Sequence, residues 1–276
     1  MLILGIKAPA FCIKSRQVNS TVNANQMEGR NMYLTIDIGN TRQKAGVFSD
    51  DAELIENIAK AELEESDIAD LCEKHAIEYS IISTVGARNV DVEAYLNRNT
   101  TLLPFSHETP LPIRIDYDEP QTLGLDRIAD AVAAHTTFPD KNVLSIQAGT
   151  CLVMDFVTKE GVFKGGSISP GLDMRFAALH HYTQRLPLVK KKEIDFYIGH
   201  STRQSIESGV INGIADEING AISRYKQQFG EIQIVLTGGN KNDLEKSIKN
   251  TIFAPSNFIL YGLCKVLIFN VEKGRI

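Results

Sequence analysis

The alternation of hydrophobic and polar positions first becomes regular at Met32. From there the chain reads MYLTIDIGNTRQKAGVF, with Tyr33–Ile38 an apolar run of strand length, Gly39-Asn40-Thr41 a turn, and Gln43–Phe48 a returning strand. Residues 142–157, NVLSIQAGTCLVMDFV, repeat the design around a Gly149-Thr150 turn. Superposing the turn glycines pairs Asp37 with Gln147. A strand–turn–strand unit that occurs twice predicts an α/β protein of two related lobes facing each other across a cleft. Leu125–His135 has helical spacing, with Ile128, Ala131 and Val132 on its apolar stripe, and Met174–His181 also reads as helix. Ser201-x-x-Gln204 has the form of a capping box opening a further helix, along which Ser208, Gly209 and Gly213 are small. Ile232–Leu236 predicts a strand stopping at Thr237-Gly238-Gly239-Asn240, and 257–269 an apolar core helix. The acidic stretch Asp50–Glu73 reads as a solvated helix face, and Gly165–Gly171 as a glycine-rich link.

The two turns suit phosphate. Glycine lets backbone approach a ligand closely, successive N–H groups form an anion nest, and Asn or Thr adds donors. A carboxylate on the preceding strand, Asp37, can hold a hydrated Mg²⁺ against the phosphates. An ordinary β-hairpin also carries Gly, Asn and Thr, so the weight rests on the second copy. Neither GxxxxGK[ST] nor GxGxxG occurs. Asp126 and Arg127 fall in the first turn of the Leu125 helix. A carboxylate is favoured there by the macrodipole in any helix, whereas a cation is unfavourable unless it has an anionic partner.

Composition narrows the classes. The 276 residues are 43% hydrophobic and 23% charged, which is ordinary for a globular chain and argues against disorder. Lys and Arg number 29 against 34 Asp and Glu, a net charge of −5; the one basic run, Lys190-Lys191-Lys192, reads as a solvated loop, so nucleic acid is not expected as a partner. No run of roughly 18 uncharged apolar residues predicts a membrane span. Cys12, Cys72, Cys151 and Cys264 form no CxxC pair and read as reduced thiols of a cytoplasmic protein. Residues 1–31 lack the strand patterning of the rest of the chain and are expected to be an extension outside the fold, with a transit peptide as the alternative. The lobes are expected at 32–140 and 141–276.

In order and spacing, DIGNTRQK at 37–44, Tyr117, Gly124-Leu125-Asp126-Arg127, AGT at 148–150, GGSISPG at 165–171, LP at 186–187, IGHSTRQSIESG at 198–209 and TGG at 237–239 resemble the type III pantothenate kinases. That family lies within the acetate and sugar kinase/Hsp70/actin superfamily. The resemblance implies a duplicated, two-lobed ribonuclease H-like (actin-like ATPase) fold with mixed sheets. It implies ATP-dependent phosphorylation of pantothenate, the first step of coenzyme A synthesis, by a homodimer using Mg²⁺ and a monovalent cation, K⁺ or NH₄⁺. By position, Asp37, Ile38, Gly39, Asn40, Thr41, Arg42, Gln43, Lys44 and Thr150 would contact ATP. Tyr117, Gly124, Leu125, Asp126, Arg127 and Thr202 would hold pantothenate, with Asp126 the base for its hydroxyl. One position departs. The family's usual aspartate for the monovalent cation is here Gln147, a neutral ligand, with Asp155 a candidate substitute. That change favours an alternative, a non-catalytic relative acting as a regulatory or accessory binding factor. Another small-molecule kinase of the superfamily is a further alternative, against which the Gly124–Arg127 block argues.

Overall fold

The computed structural model describes residues 31–39, 41–244, 247–248, 252–254 and 257–276. The expectations for residues 1–30 and for Asn40 lie outside the described residues. Strands β1 (Tyr33–Ile38) and β2 (Gln43–Phe48) form at the predicted bounds. They are followed by β3 (Leu54–Lys60), α1 (Glu65–His75), β4 (Tyr79–Thr84), α2 (Val90–Asn99) and β5 (Thr101–Pro104). The acidic stretch is thus not one helix face. Its first part is a strand, in which Leu54, Glu56 and Ile58 alternate with the more exposed Ile55 and Asn57. These strands make a five-stranded sheet in the order β3-β2-β1-β4-β5, antiparallel between β1, β2 and β3 and parallel onward.

After β6 (Arg114–Ile115), α3 (Leu125–Thr137) leads to β7 (Val143–Ala148), β8 (Cys151–Val157) and β9 (Val162–Pro170). Then come α4 (Leu172–His181), α5 (Thr202–Phe229), β10 (Gln233–Thr237), α6 (Lys241–Leu244), β11 (Ile252–Phe253) and α7 (Phe258–Glu272). The expected glycine-rich link is mostly β9. The second sheet runs β11-β10-β7-β8-β9-β6. Without β6 its order and strand directions repeat those of the first, with β7 standing for β1. The fold is the duplicated α/β arrangement with mixed sheets.

Alternation along each strand places the site. Leu34, Ile36 and Ile38 pack against α1 and α2 through Ile68, Leu71, Val92 and Leu96. Tyr33, Thr35 and Asp37 therefore face the other way, where Tyr33 shares a core with Ile128 and Val132 of α3 and Leu260 and Leu263 of α7. In the second sheet Leu144 and Ile146 pack with Ile206, Val210 and Ile214 of α5. Val143, and with it Gln147, faces Ala133, Ala134 and Phe258. Helices α3 and α7 thus lie between the two sheets, and the ends of β1 and β7 open onto them. The Ser201 half of the expected capping box forms, its Oγ accepting from the Gln204 N–H; Gln204 Oε1 accepts instead from the N–H of His200, one residue before the cap. No helix among the described residues is long and apolar enough to cross a membrane.

Candidate active site

The two glycine turns meet. The hydroxyls of Thr41 and Thr150 lie 3.2 Å apart although 109 residues separate them. Beside the second turn, Gly238 takes φ +96°, and a Cβ there would sit 2.4 Å from the Ala148 carbonyl oxygen. Only glycine lets the β10 end run so close. Asn240 then donates its backbone N–H to the Ala148 carbonyl at 2.9 Å and its Nδ2–H to the Gly149 carbonyl at 3.3 Å. The result is a fixed, backbone-rich cradle with exposed threonine hydroxyls.

Behind the first turn stands Asp37, 5% exposed, with its Oδ1 lacking any hydrogen-bond partner among the described residues. Burial pushes its carboxyl up to about 6; Lys44, opposite it across the β1–β2 ladder, pulls it down, and Asp126 pushes it further up. A buried carboxylate oxygen left without a donor is a site for a cation, so Asp37 fits the Mg²⁺ role. Among the described residues no group of three His, Cys, Asp or Glu side chains could hold a metal ion by itself. A divalent ion here would therefore need ligands from the nucleotide and water as well. Ile38 is buried in the α1–α2 core, and Gln43 Oε1 accepts from the Leu63 N–H at 2.9 Å. Those two residues can offer a nucleotide little beyond backbone. Arg42 is exposed on the turn, and Lys44 is half-buried.

Asp126 opens α3 after the cap residue Gly124, and its Oδ1 accepts from the Arg127 N–H at 2.9 Å. A Cβ on Gly124 would come within 2.5 Å of that same oxygen, so glycine leaves the carboxylate room to fold over the helix start. Half-buried Asp126 stays open to a ligand. One turn on, Asp130 is buried and its Oδ1 is likewise unpartnered among the described residues. Burial, then Asp126, Asp155 and Asp37, hold its carboxyl well above the usual range. It stands one turn behind Asp126, and no motif in the sequence singles it out.

Arg127 has the anionic partner its position requires. Its Nε and Nη2 donate to Asp155 Oδ2 and Oδ1 at 3.0 and 2.5 Å, with both side chains buried. Burial works against the Arg127 charge, but the hydrogen bonds and charge of Asp155 outweigh it. Burial also raises the Asp155 carboxyl, and the two Arg127 donors offset part of that rise. The bidentate geometry is that of an ion pair. Asp155 is therefore committed to Arg127, which corrects its expected use as a substitute cation ligand. Tyr117 and Phe163, neighbouring rings with centroids 6.1 Å apart, lie side by side against the guanidinium, each centroid 5.8 Å from Cζ. Leu125 packs against the α3–α7 core. Gln147 lies half-buried near the end of β7, paired in register with Val153 and Thr237.

Thr202 stands apart. Exposed at the start of α5, it lines a groove of about 600 Å³ with Arg175, Leu179, Leu186, Ser205 and Ile206. That lining shares no residue with the carboxylate cluster.

The cradle and the cluster together can hold a triphosphate, a cation and an acceptor beside a half-buried carboxylate. Comparison with known proteins gives the family. A family model described as type III pantothenate kinase matches residues 33–224. The type III pantothenate kinase of Christiangramia forsetii is 44% identical over 240 residues, 87% of this chain and 99% of that one. Its counterpart from Flavobacterium johnsoniae is 40% identical over 245 residues, 88% of this chain and all of that one. Among solved structures, a Baf family protein from Campylobacter jejuni superposes with a TM-score of 0.53 at 19% identity, covering 88% of this chain and 100% of that one. The activator of 2-hydroxyisocaproyl-CoA dehydratase from Clostridium difficile, with bound ADPNP, superposes at 0.51 and 12% identity, covering 89% and 97%. These two likenesses concern the fold alone. The chain belongs to the type III pantothenate kinase family.

Proposed function

We propose that this member of the family phosphorylates pantothenate with ATP, the triphosphate lying between the Gly39–Lys44 and Gly149–Thr150 turns. Turn N–H groups and the hydroxyls of Thr41 and Thr150 bind the phosphate oxygens, and Lys44 adds positive charge. Asp37 holds Mg²⁺ through water, and the ion supplies charge neutralisation on the phosphates. Asp126 accepts the proton of the pantothenate primary hydroxyl as its oxygen bonds to the γ-phosphorus and ADP leaves. Arg127, walled by Tyr117 and Phe163, donates hydrogen bonds to the acceptor. Phosphoryl transfer asks a protein mainly for positioning and charge. The observation that carries this proposal is the meeting of two turns 109 residues apart, beside the coupled carboxylates of Asp37 and Asp126.

The finer assignments rest on placement. The Gln147 amide oxygen can ligate K⁺ or NH₄⁺ with a dipole and no formal charge, so K⁺ activation is weak and needs high salt to saturate. Thr202 serves the acceptor from the groove it shares with Pro170, whose register partner Cys151 follows the second turn. Between Tyr182 and Ile198 the side chains of Tyr182, Leu188, Tyr197 and Ile198 are each more than half exposed, set among the exposed charges of Arg185, Lys190, Lys191 and Lys192. We place the homodimer contact there. Cytoplasmic residence suits the unpaired Cys72, Cys151 and Cys264.

The test measures ADP release by the purified protein with ATP and Mg²⁺, with and without pantothenate, titrating K⁺ against sodium. Pantothenate-dependent ADP formation is expected. The single observation favouring a non-catalytic binding factor is the neutral Gln147, and pantothenate binding without ADP formation would decide for that factor.

A further inference from the structure

A buried arginine in the first turn of a helix carries two costs, desolvation and the wrong end of the macrodipole. Here both are met by one side chain. Asp155, on the second sheet, takes Nε and one Nη2 hydrogen of Arg127 in a bidentate fork at 3.0 and 2.5 Å. The adjoining rings of Tyr117 and Phe163 pack against one side of the guanidinium, each centroid 5.8 Å from Cζ. Position, plane and rotation of the group are thereby fixed; Asp155 leaves the donors of Nη1 and the second hydrogen of Nη2, of which Tyr117 takes one and the rest remain for a ligand. Asp155 also cancels the charge of Arg127, so what the pair offers a ligand is directed hydrogen bonds and little long-range attraction. Nothing else in the carboxylate cluster restrains Arg127 as closely among the described contacts.

We propose that Asp155 is a positioning residue of the acceptor site: it aims the free Arg127 donors at the polar groups of the acceptor alcohol, with Phe163 as the wall behind them. The proposal rests on the pantothenate kinase function above. Asp155 touches neither nucleotide nor the reacting hydroxyl; it acts through Arg127. Its loss should therefore fall on the acceptor and spare ATP.

The test compares the unmodified protein with Asp155→Asn, which keeps the shape and removes the charge, and Asp155→Glu, which keeps the charge and displaces it by one methylene. Steady-state kinetics give KM for each substrate and kcat, calorimetry gives pantothenate Kd, and thermal melts establish that each variant is folded at the assay temperature. The expected result is a pantothenate KM and Kd raised about tenfold or more, with ATP KM within about twofold and kcat falling less than kcat/KM for pantothenate. A role confined to stability would lower the melting temperature without this split. Folded variants with unchanged pantothenate KM, or with both KM values raised alike, would overturn the proposal. So would failure of both variants to fold, which would make the pair purely structural. If the unmodified protein neither binds nor phosphorylates pantothenate, the functional reading beneath it fails first.

Discussion

Asp37 is held in a site that disfavours its charge. A rise from an ordinary 3.8 to about 6 corresponds to about 3 kcal/mol of native-state cost once the carboxylate ionises. Because the folded value is the higher one, the cost is absent below the ordinary value, grows between the two, and is full above about 6. Asp37→Asn should therefore stabilise the ligand-free protein at pH 7 to 8 by about 1–3 kcal/mol, with the gain fading toward pH 4. The same variant should lose most of the stabilisation that Mg²⁺ and ATP give the unmodified protein. Denaturant melts at several pH values, with and without nucleotide, check both. At this scale the sequence is only partly legible. Strand alternation and the turn glycine mark Asp37, but the partner of Arg127 lies 28 residues away on another element. The one clue is the unfavourable cation at a helix start, which demands an anion without saying which; spacing alone leaves Asp155 equally open to a cation. Asp130 gives even less signal, since its significance comes from burial beside Asp126, and one helical turn of spacing does not reveal burial.

Elements that are apolar and bounded by turn residues are readable to the residue, as with β1 and β2, where β1 is buried throughout and β2 from Ala45 onward. Elements at sheet edges are not. In β3 the alternation is diluted by Glu56, Asn57 and Lys60, because one side of an edge strand is wet. Glycines hide β9: Gly165 and Gly166 read as a link, yet the register with β8 runs through Gly166 opposite Asp155. The helix at 257–269 is legible as core, but its partners are not. In the structure α7 crosses α3 so closely that a Cβ on Gly262 would lie 2.0 Å from the Ala129 carbonyl oxygen. Gly262→Ala must push these helices apart. Overpacking costs about 1–3 kcal/mol and more where backbone has to move. A loss of at least about 2 kcal/mol is expected, together with a lower rate, since α3 carries Asp126. Unchanged melting would contradict the crossing.

Over the whole molecule, the repeated strand order of the two sheets accounts for the two matching turns, and the α3–α7 layer between them brings Asp37, Asp126 and Arg127 into one site. The sequence discloses the duplication because both copies keep a glycine turn after an apolar strand. It does not disclose that Thr202 lies in a separate groove, since helix spacing carries no information on which face meets the cluster. If two copies pair over the exposed Tyr182–Ile198 surface, Ile198→Glu should give a monomer by light scattering and reduce pantothenate turnover. A variant still dimeric would move the contact elsewhere. In the proposed reaction Asp126 takes the proton of the pantothenate hydroxyl between the two turns. Rapid-quench transfer from γ-labelled ATP to pantothenate, by the unmodified protein and by Asp126→Asn, tests it most directly. Labelled phosphopantothenate from the first, slowed about 10²–10⁴-fold in the second with nucleotide affinity within a few fold, is the expected result. Retention of more than half the rate in Asp126→Asn, or no labelled product from the unmodified protein, would contradict it.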